Sequence, residues 1–450
     1  MNAGTKALSL RIAALRYRFA ESLFLFPALL MLGGILLAVG ATSLDAAVGH
    51  DARIPLTLAM SSNAATWLLA TVAGAMITTV GVVFSLTVVS LQLASGQFSP
   101  RVMRSFIRDR LSQGVIGLLV GTFFYCILVL PSLSGDPAGA APRISLTLAV
   151  VLTLVTVVGI IAHLDHLSRG LQVGNLARAI AAEGRRVAQG LDRVPHGLSP
   201  ADPRDFHPPA NAAVVPCTVS GWVSQADITR LLKAVPAGTT VRLETRIGAY
   251  VHADEALLSV WPAPGEAVLE RLAGAIEVAD SRTMLQDVDF AIRQLVDVGL
   301  RALSSAINDP TTAVEITLRL GSLLRGVLTA PLAPEALRDD AGRVIVQPWN
   351  LDHEEYVDHA FDQLRQNCLD QPEVAAALLR VLRMLARHVT EQGHPERAHA
   401  LRRQMQLLLE SLRNHPGLHR EDLRHLESLS SDDTDPADHS RPAPQAPPGQ

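Results

Sequence analysis

From Ala64 to Leu93 the chain carries no ionisable side chain. A run of that length exceeds the ~20 apolar residues with which a helix crosses a bilayer, so any fold of this chain must place the segment in a membrane. The run is not uniformly apolar. Gly74, Thr78, Gly81, Ser85, Gln92 and Ser95 follow one another at steps of four, three, four, seven and three, which puts them on one helical face. Small residues let backbones approach and hydroxyls bond between helices, and the same face turned to water would line a path for ions or solutes. The stripe is a candidate pore or helix-packing face.

Three further apolar runs accompany it, giving expected transmembrane helices at about 22–44, 64–94, 112–131 and 144–163. The first is longer than the ~7–15 residue core of a signal peptide and reads as a retained span. In the third, Gly114, Gly117 and Gly121 are packing positions, while Asp45 to Asn63 reads as a short external loop. Residues 1–21 form an amphipathic stretch with Lys6, Arg11, Arg16 and Arg18. Basic residues mark cytoplasmic loops, and they cluster at the amino terminus, at Arg101, Arg104, Arg108 and Arg110, and after the fourth span at Arg169, Arg178, Arg185 and Arg186. Both termini are therefore expected in the cytoplasm. Arg101, Arg104 and Arg108 share a face suited to anionic headgroups, at about 1 kcal/mol each near the surface.

The remainder reads as a charged, water-facing sequence. Net charge is −4 with no basic stripe, which excludes nucleic acid as an expected partner. Three widely spaced cysteines, Cys126, Cys217 and Cys368, offer neither a disulfide framework nor zinc spacing. His163, Asp165 and His166 do not converge on one helical face and read as interfacial polar residues. A helical connector and linker is expected over 164–210 and a small β-rich module over 211–263, with runs at Val214–Val219, Thr239–Thr245, Ala249–Val251 and Leu257–Trp261. Inside it, Ser224 to Asp227 has the form of a capping box before a short helix. No lysine lies at a hairpin tip, so no cofactor is expected. A helical domain over 264–429 and a disordered tail over 430–450 complete the chain.

The most patterned water-facing segment is Gln286 to Ile316. Asp289, Arg293, Asp297 and Arg301 fall at four-residue steps, an alternating ladder worth ~0.2–0.5 kcal/mol per pair if exposed. Acids held ionised between arginines suit structure better than proton transfer. The helix should break at Asn308-Asp309-Pro310, with Asp309 as N-cap and Pro310 opening the next helix. Asn308, Asp309, Thr311 and Thr312 are a candidate anion or partner site, because exposed amides at a helix start attract anions. His353, Glu354, Glu355 and His359 lack the spacing of a zinc peptidase and read as a solvated face. Without a nucleophile–base pair or a metal motif, no enzyme activity and no metal site are expected.

Two stretches, VVFSLTVVSLQLASGQFSPRVMR and IRQLVDVGLRALSSAINDPTTAV, resemble the distinctive segments of a bacterial family of predicted membrane proteins of unknown function. The resemblance covers roughly Leu23 to His388 in the same order and implies an inner-membrane protein, with no activity, cofactor or catalytic residue to carry over. The family more often has proline where this chain has Ser305, which would sharpen the break before Asn308. The expected fold class is membrane α-helical, with four transmembrane helices plus a cytosolic α+β and helical domain. Two functional readings follow. One is an oligomeric channel or transporter-like protein with a cytosolic regulatory domain. The other is a membrane-anchored sensor or scaffold whose cytosolic domain binds a protein or an anionic ligand.

Overall fold

The computed structural model describes residues 25–48, 57–97, 110–133, 141–170, 172–190 and 194–430. The chain divides into two compact units, Met1–Asn175 and Leu176–Gln450.

The first unit holds four helices long and apolar enough to cross a membrane: α1 (Leu25–Val48), α2 (Ser62–Gln97), α3 (Arg110–Val129) and α4 (Arg143–Gly170). They match the four expected spans, with ends displaced by a few residues. At ~1.5 Å per residue, the 36 residues of α2 reach about 54 Å, well beyond the ~30 Å hydrocarbon core. Close packing of α1 on α3 is set by glycine. A Cβ on Gly34 would overlap the Gly121 carbonyl, and one on Gly117 would lie 2.8 Å from the Pro27 Cα. Gly117 and Gly121 thus serve as the packing positions that their spacing suggests.

The first loop begins later than expected, because Asp45 is helical and buried. Its carboxylate accepts from the amides of Ile144 (3.0 Å) and Ser145 (2.8 Å) and from Ser145 Oγ (2.7 Å). A carboxylate from α1 therefore satisfies amides that the start of α4 would leave orphaned. Tyr125 Oη donates to the Ser145 carbonyl (2.9 Å), and the Thr122 and Thr156 hydroxyls meet at 3.1 Å.

In the second unit, α5 (Val173–Ala188) is followed by β1 (Leu198–Ala201), β2 (Ala213–Pro216), β3 (Gly221–Ala226), α6 (Ile228–Ala234), β4 (Thr240–Leu243), β5 (Tyr250–Val251), β6 (Ala256–Trp261), α7 (Glu266–Ala273) and β7 (Ile276–Ala279). Then come α8 (Val288–Leu303), α9 (Pro310–Val327), β8 (Ala336–Asp339), β9 (Val344–Val346), α10 (His353–Asn367), α11 (Pro372–Glu391), α12 (Ala398–Arg413) and α13 (Arg420–Ser430). A six-stranded sheet runs β1-β8-β9-β4-β6-β2, and a three-stranded sheet runs β5-β3-β7. Only β4–β9 is parallel. The apolar side of α6, Leu231, Leu232 and Val235, is buried against this sheet core.

The β module is therefore discontinuous in sequence. It draws β1 from the expected connector, and β7, β8 and β9 from the expected helical domain. Strands of three or four residues are too short to display a period of two. The β8–β9 turn is held instead by Asp339, which accepts from the Ala341 and Arg343 amides (3.0 and 2.9 Å) and from Arg343 Nε (2.7 Å). Ser224 lies in β3 rather than at a cap, and Asp227 alone caps α6 by accepting from the Arg230 amide. Ser224 Oγ is spent on the Glu277 carbonyl of the neighbouring strand.

The glycine contacts predict opposite outcomes at neighbouring sites. Gly121→Val should cost about 1–3 kcal/mol through overpacking, whereas Gly33→Ala, which meets nothing within 4 Å, should hold or raise stability. Thermal unfolding in detergent, followed by tryptophan fluorescence, reads both.

Candidate functional site

The patterned segment begins with a charge network. Asp287 caps α8, accepting from the Phe290 amide at 3.1 Å. The Arg282 guanidinium forks onto that carboxylate, with Nε 2.6 Å from Oδ2 and Nη2 3.0 Å from Oδ1. Its Nη2 also donates to Asp289 Oδ2 at 2.8 Å. The guanidinium also lies over the rings of Phe290 (5.4 Å to the centroid) and Trp222 (5.8 Å), a cation–π arrangement. The backbone makes room for it at Gly248, whose φ is +80° and where a Cβ would overlap the Asp287 carboxylate.

Asp289 Oδ1 takes the second bond, from His359 Nδ1 at 2.8 Å. An ionised carboxylate can only accept, so the Nδ1 proton is placed on His359 and its Nε2 is left as the basic position when the ring is neutral. The side chain of Asp289 is 2% exposed and that of His359 22%. Burial alone would push the Asp289 carboxyl up, but the His359 and Arg282 hydrogen bonds and charges together outweigh it and hold the group well below the usual carboxylate range. Burial pushes the Tyr356 phenol up, with the nearby charges of Asp287 and Asp289 adding to it. Such an aspartate–histidine pair orients an imidazole. Among the described residues no three His, Cys, Asp or Glu side chains converge as metal ligands.

The condition of exposure attached to the ladder is not met. Asp289 points inward to Arg282 and His359, and Arg293 keeps only a 3.8 Å approach to it. Asp297 and Arg301 are half-buried. The solvated reading of residues 353–359 changes too. His353 Nε2 meets the Ala330 carbonyl at 3.0 Å, Glu355 closes a capping box with Asp352, and His359 belongs to the network. Arg282 and Gly248 carried no periodic signal. Asp287 was legible only as the polar residue before an apolar helix.

At the α8–α9 corner the expected cap is present. Asp309 accepts from the Thr312 amide (3.0 Å) and hydroxyl (2.6 Å), and Pro310 opens α9. Asn308 has φ +48° and accepts from Gln371 Nε2 at 2.8 Å, while Thr311 is exposed. α8 ends at Leu303 even without a proline at 305, because Ser304 turns to extended backbone and bonds its hydroxyl to the Arg301 carbonyl.

In the first unit, Gly74, Thr78, Gly81, Ser85 and Gln92 are all exposed, and Gly74 and Gly81 meet nothing within 4 Å. The buried residues of α2 include Ala65, Leu69, Ala73, Met76 and Val83, which at ~3.6 residues per turn lie on the opposite side. Among the described residues nothing packs on Gly74, Thr78, Gly81, Ser85 or Gln92. Thr78 and Ser85 return their hydroxyls to the carbonyls of Gly74 and Gly81, each at 2.8 Å. Ser95 continues α2, but its side chain, like Arg101, Arg104 and Arg108, lies outside the described residues. His163 is buried, its Nδ1 3.3 Å from Ser112 Oγ, and Asp165 pairs with Arg169 at 3.0 Å.

A family model described as "Predicted membrane protein (DUF2254)" matches residues 20–384. The chain belongs to this family. Similar proteins include an uncharacterized protein of Mycobacterium bovis and one of Mycobacterium tuberculosis, each 31% identical over 350 residues, which is 75% of this chain and 66% of the relative. The chain thus spans just under two thirds of the length of these relatives. No solved structure matches it. The family match takes in all four apolar helices and every residue of the Arg282 network, from Trp222 to His359.

Removing one partner of a buried ion pair strands the other, so Asp289→Ala should cost about 3 kcal/mol in thermal or denaturant unfolding. The Asp289 carboxyl is lower in the folded state than its unfolded value of ~3.9. Its contribution is complete above that value and is lost as pH falls through the folded one. The gap between wild type and Asp289→Ala should therefore stay constant above about pH 5 and narrow below about pH 4.

Proposed function

We propose that the protein is an oligomeric inner-membrane protein of the channel or transporter-like kind, in which α2 lines the contact between copies around a central axis. Its second unit would lie in the cytoplasm as the regulatory part. The observation that supports this reading is the placement of Gly74, Thr78, Gly81, Ser85 and Gln92. They lie within the broad side of α2 that the described residues leave open, opposite the side that packs. Lipid has no use for a row of small and polar residues, since hydrocarbon offers nothing to hydrogen-bond with a glutamine amide. Helix–helix association favours such a row, and four helices per chain are few for a complete transport path.

Cysteine placed at Ser85 should cross-link to a dimer under mild oxidation in native membranes, whereas cysteine at Phe84, which is 60% exposed beside the stripe, should not. With the native cysteines replaced, equal cross-linking at both positions would remove the stripe from the interface. Protein reconstituted in vesicles should pass a small ion or solute, and Ser85→Leu should reduce that flux several-fold. Cross-linking at Ser85 without flux under any gating condition would leave an oligomeric membrane protein and overturn the transport role.

A further inference from the structure

Going beyond the transport reading and independent of it, we propose that the second unit binds a phosphate group on the ridge formed by Arg185, Ser322, Arg325 and His388. Three helices build this ridge, and two glycine contacts set it. At Gly184 of α5 a Cβ would lie 2.7 Å from the Ala291 Cβ and 3.1 Å from Leu323 Cδ1 of α9. At Gly321 of α9 a Cβ would lie 2.7 Å from Val381 Cγ1 of α11. Residues 321 and 323 point to different sides of α9, so α5 and α11 flank it. Ser322 and Arg325, one turn apart, stay on the exposed ridge between them.

The side chains that meet there are all donors or basic. Arg185 Nη1 donates to Ser322 Oγ at 3.2 Å, and Arg325 Nη2 reaches His388 Nδ1 at 3.5 Å. Among the described residues neither arginine has a carboxylate within ion-pair distance. On α9 and α11, Glu315 pairs with Arg319 at 3.0 Å and Glu391 with Arg387 at 3.6 Å, while Glu183 of α5 is exposed and makes no ion pair with Arg185. By contrast, Arg282, Arg403 and Arg413 each reach a carboxylate on another element. Two guanidinium forks, one beside a hydroxyl and one beside an imidazole and linked by the single turn from Ser322 to Arg325, offer donors suited to the acceptor oxygens of a phosphate. Leu318, one turn earlier on the same ridge and 54% exposed, offers an apolar neighbour to a phosphate carried on a lipid.

Arg185, Arg325 and His388 also stand in the last turns of their helices, where carbonyl ends favour basic side chains. The test must therefore separate an anion site from helix-end compensation. Full-length protein in detergent is titrated calorimetrically with inorganic phosphate, with dioctanoyl phosphatidic acid and with dioctanoyl phosphatidylcholine. The double variants R185Q/R325Q and R185K/R325K are compared with wild type. Lysine keeps the helix-end charge and loses the fork, so R185K/R325K should melt like wild type while its affinity falls about tenfold. R185Q/R325Q should abolish binding.

If phosphate and phosphatidic acid both bind and both weaken, the site recognises a free phosphate group. If only phosphatidic acid does so, the source is a lipid headgroup. The proposal is overturned if neither anion binds wild type, if binding is unchanged in both variants, or if R185K/R325K binds as wild type does.

Discussion

In the second unit the fold is organised around bringing the Arg282 guanidinium out of water. Such a transfer costs several kcal/mol unless anions and hydrogen bonds meet the ion, and the chain supplies them from separate places. Asp287 and Asp289 come from the first turn of α8, the ring faces from Trp222 of β3 and Phe290 of α8, and the closing histidine from α10. The backbone conforms at Gly248, since neither a side chain nor a φ of +80° fits there otherwise. The start of α8, the β3–β5 edge and the face of α10 are fixed together by one cation. None of the three positions can shift without stranding a charge.

The first unit, whose four apolar helices are long enough to cross a membrane, is built for the opposite difficulty, because hydrocarbon donates and accepts nothing. Its polar side chains are satisfied at short range. Thr78, Ser85, Thr87 and Thr153 return their hydroxyls to carbonyls four residues back. Asp45 goes further and serves a neighbouring helix, holding the first amides of α4 from α1. The hydroxyls of the α2 stripe therefore need no partner for hydrogen bonding. What the stripe offers is low bulk, which is a property for close approach.

What the sequence reveals follows from the range of the physics involved. Four spans are legible because hydrophobicity is summed over twenty residues, and the Asp309–Pro310 corner is legible because capping acts within one turn. The packing glycines of α3 were readable from spacing, though their partners on α1 were not. The burial of Asp289 is not legible, because a four-residue ladder of alternating charge looks the same whether it faces water or a buried arginine seven residues upstream. Nothing local distinguishes Arg282 from any loop arginine. His359 acquires its meaning seventy residues from Asp289, and β8 and β9 join a sheet whose other strands lie far earlier in the chain. Long-range pairing of short segments leaves no periodic trace.

Glycine in the membrane unit separates two kinds of constraint. In a helix interior it is worse than alanine by about 1 kcal/mol, so its presence requires a gain elsewhere. Gly34, Gly117 and Gly121 have one, because the backbones of α1 and α3 touch where they sit. Among the described residues Gly33, Gly40, Gly74 and Gly81 meet nothing within 4 Å. Gly74 and Gly81 fall within the Thr78–Ser85 stripe, on the side of α2 away from its own packing. In the proposed oligomer a second copy would meet Gly74 and Gly81 on that face, so the stripe bears on assembly more directly than on any particular cargo.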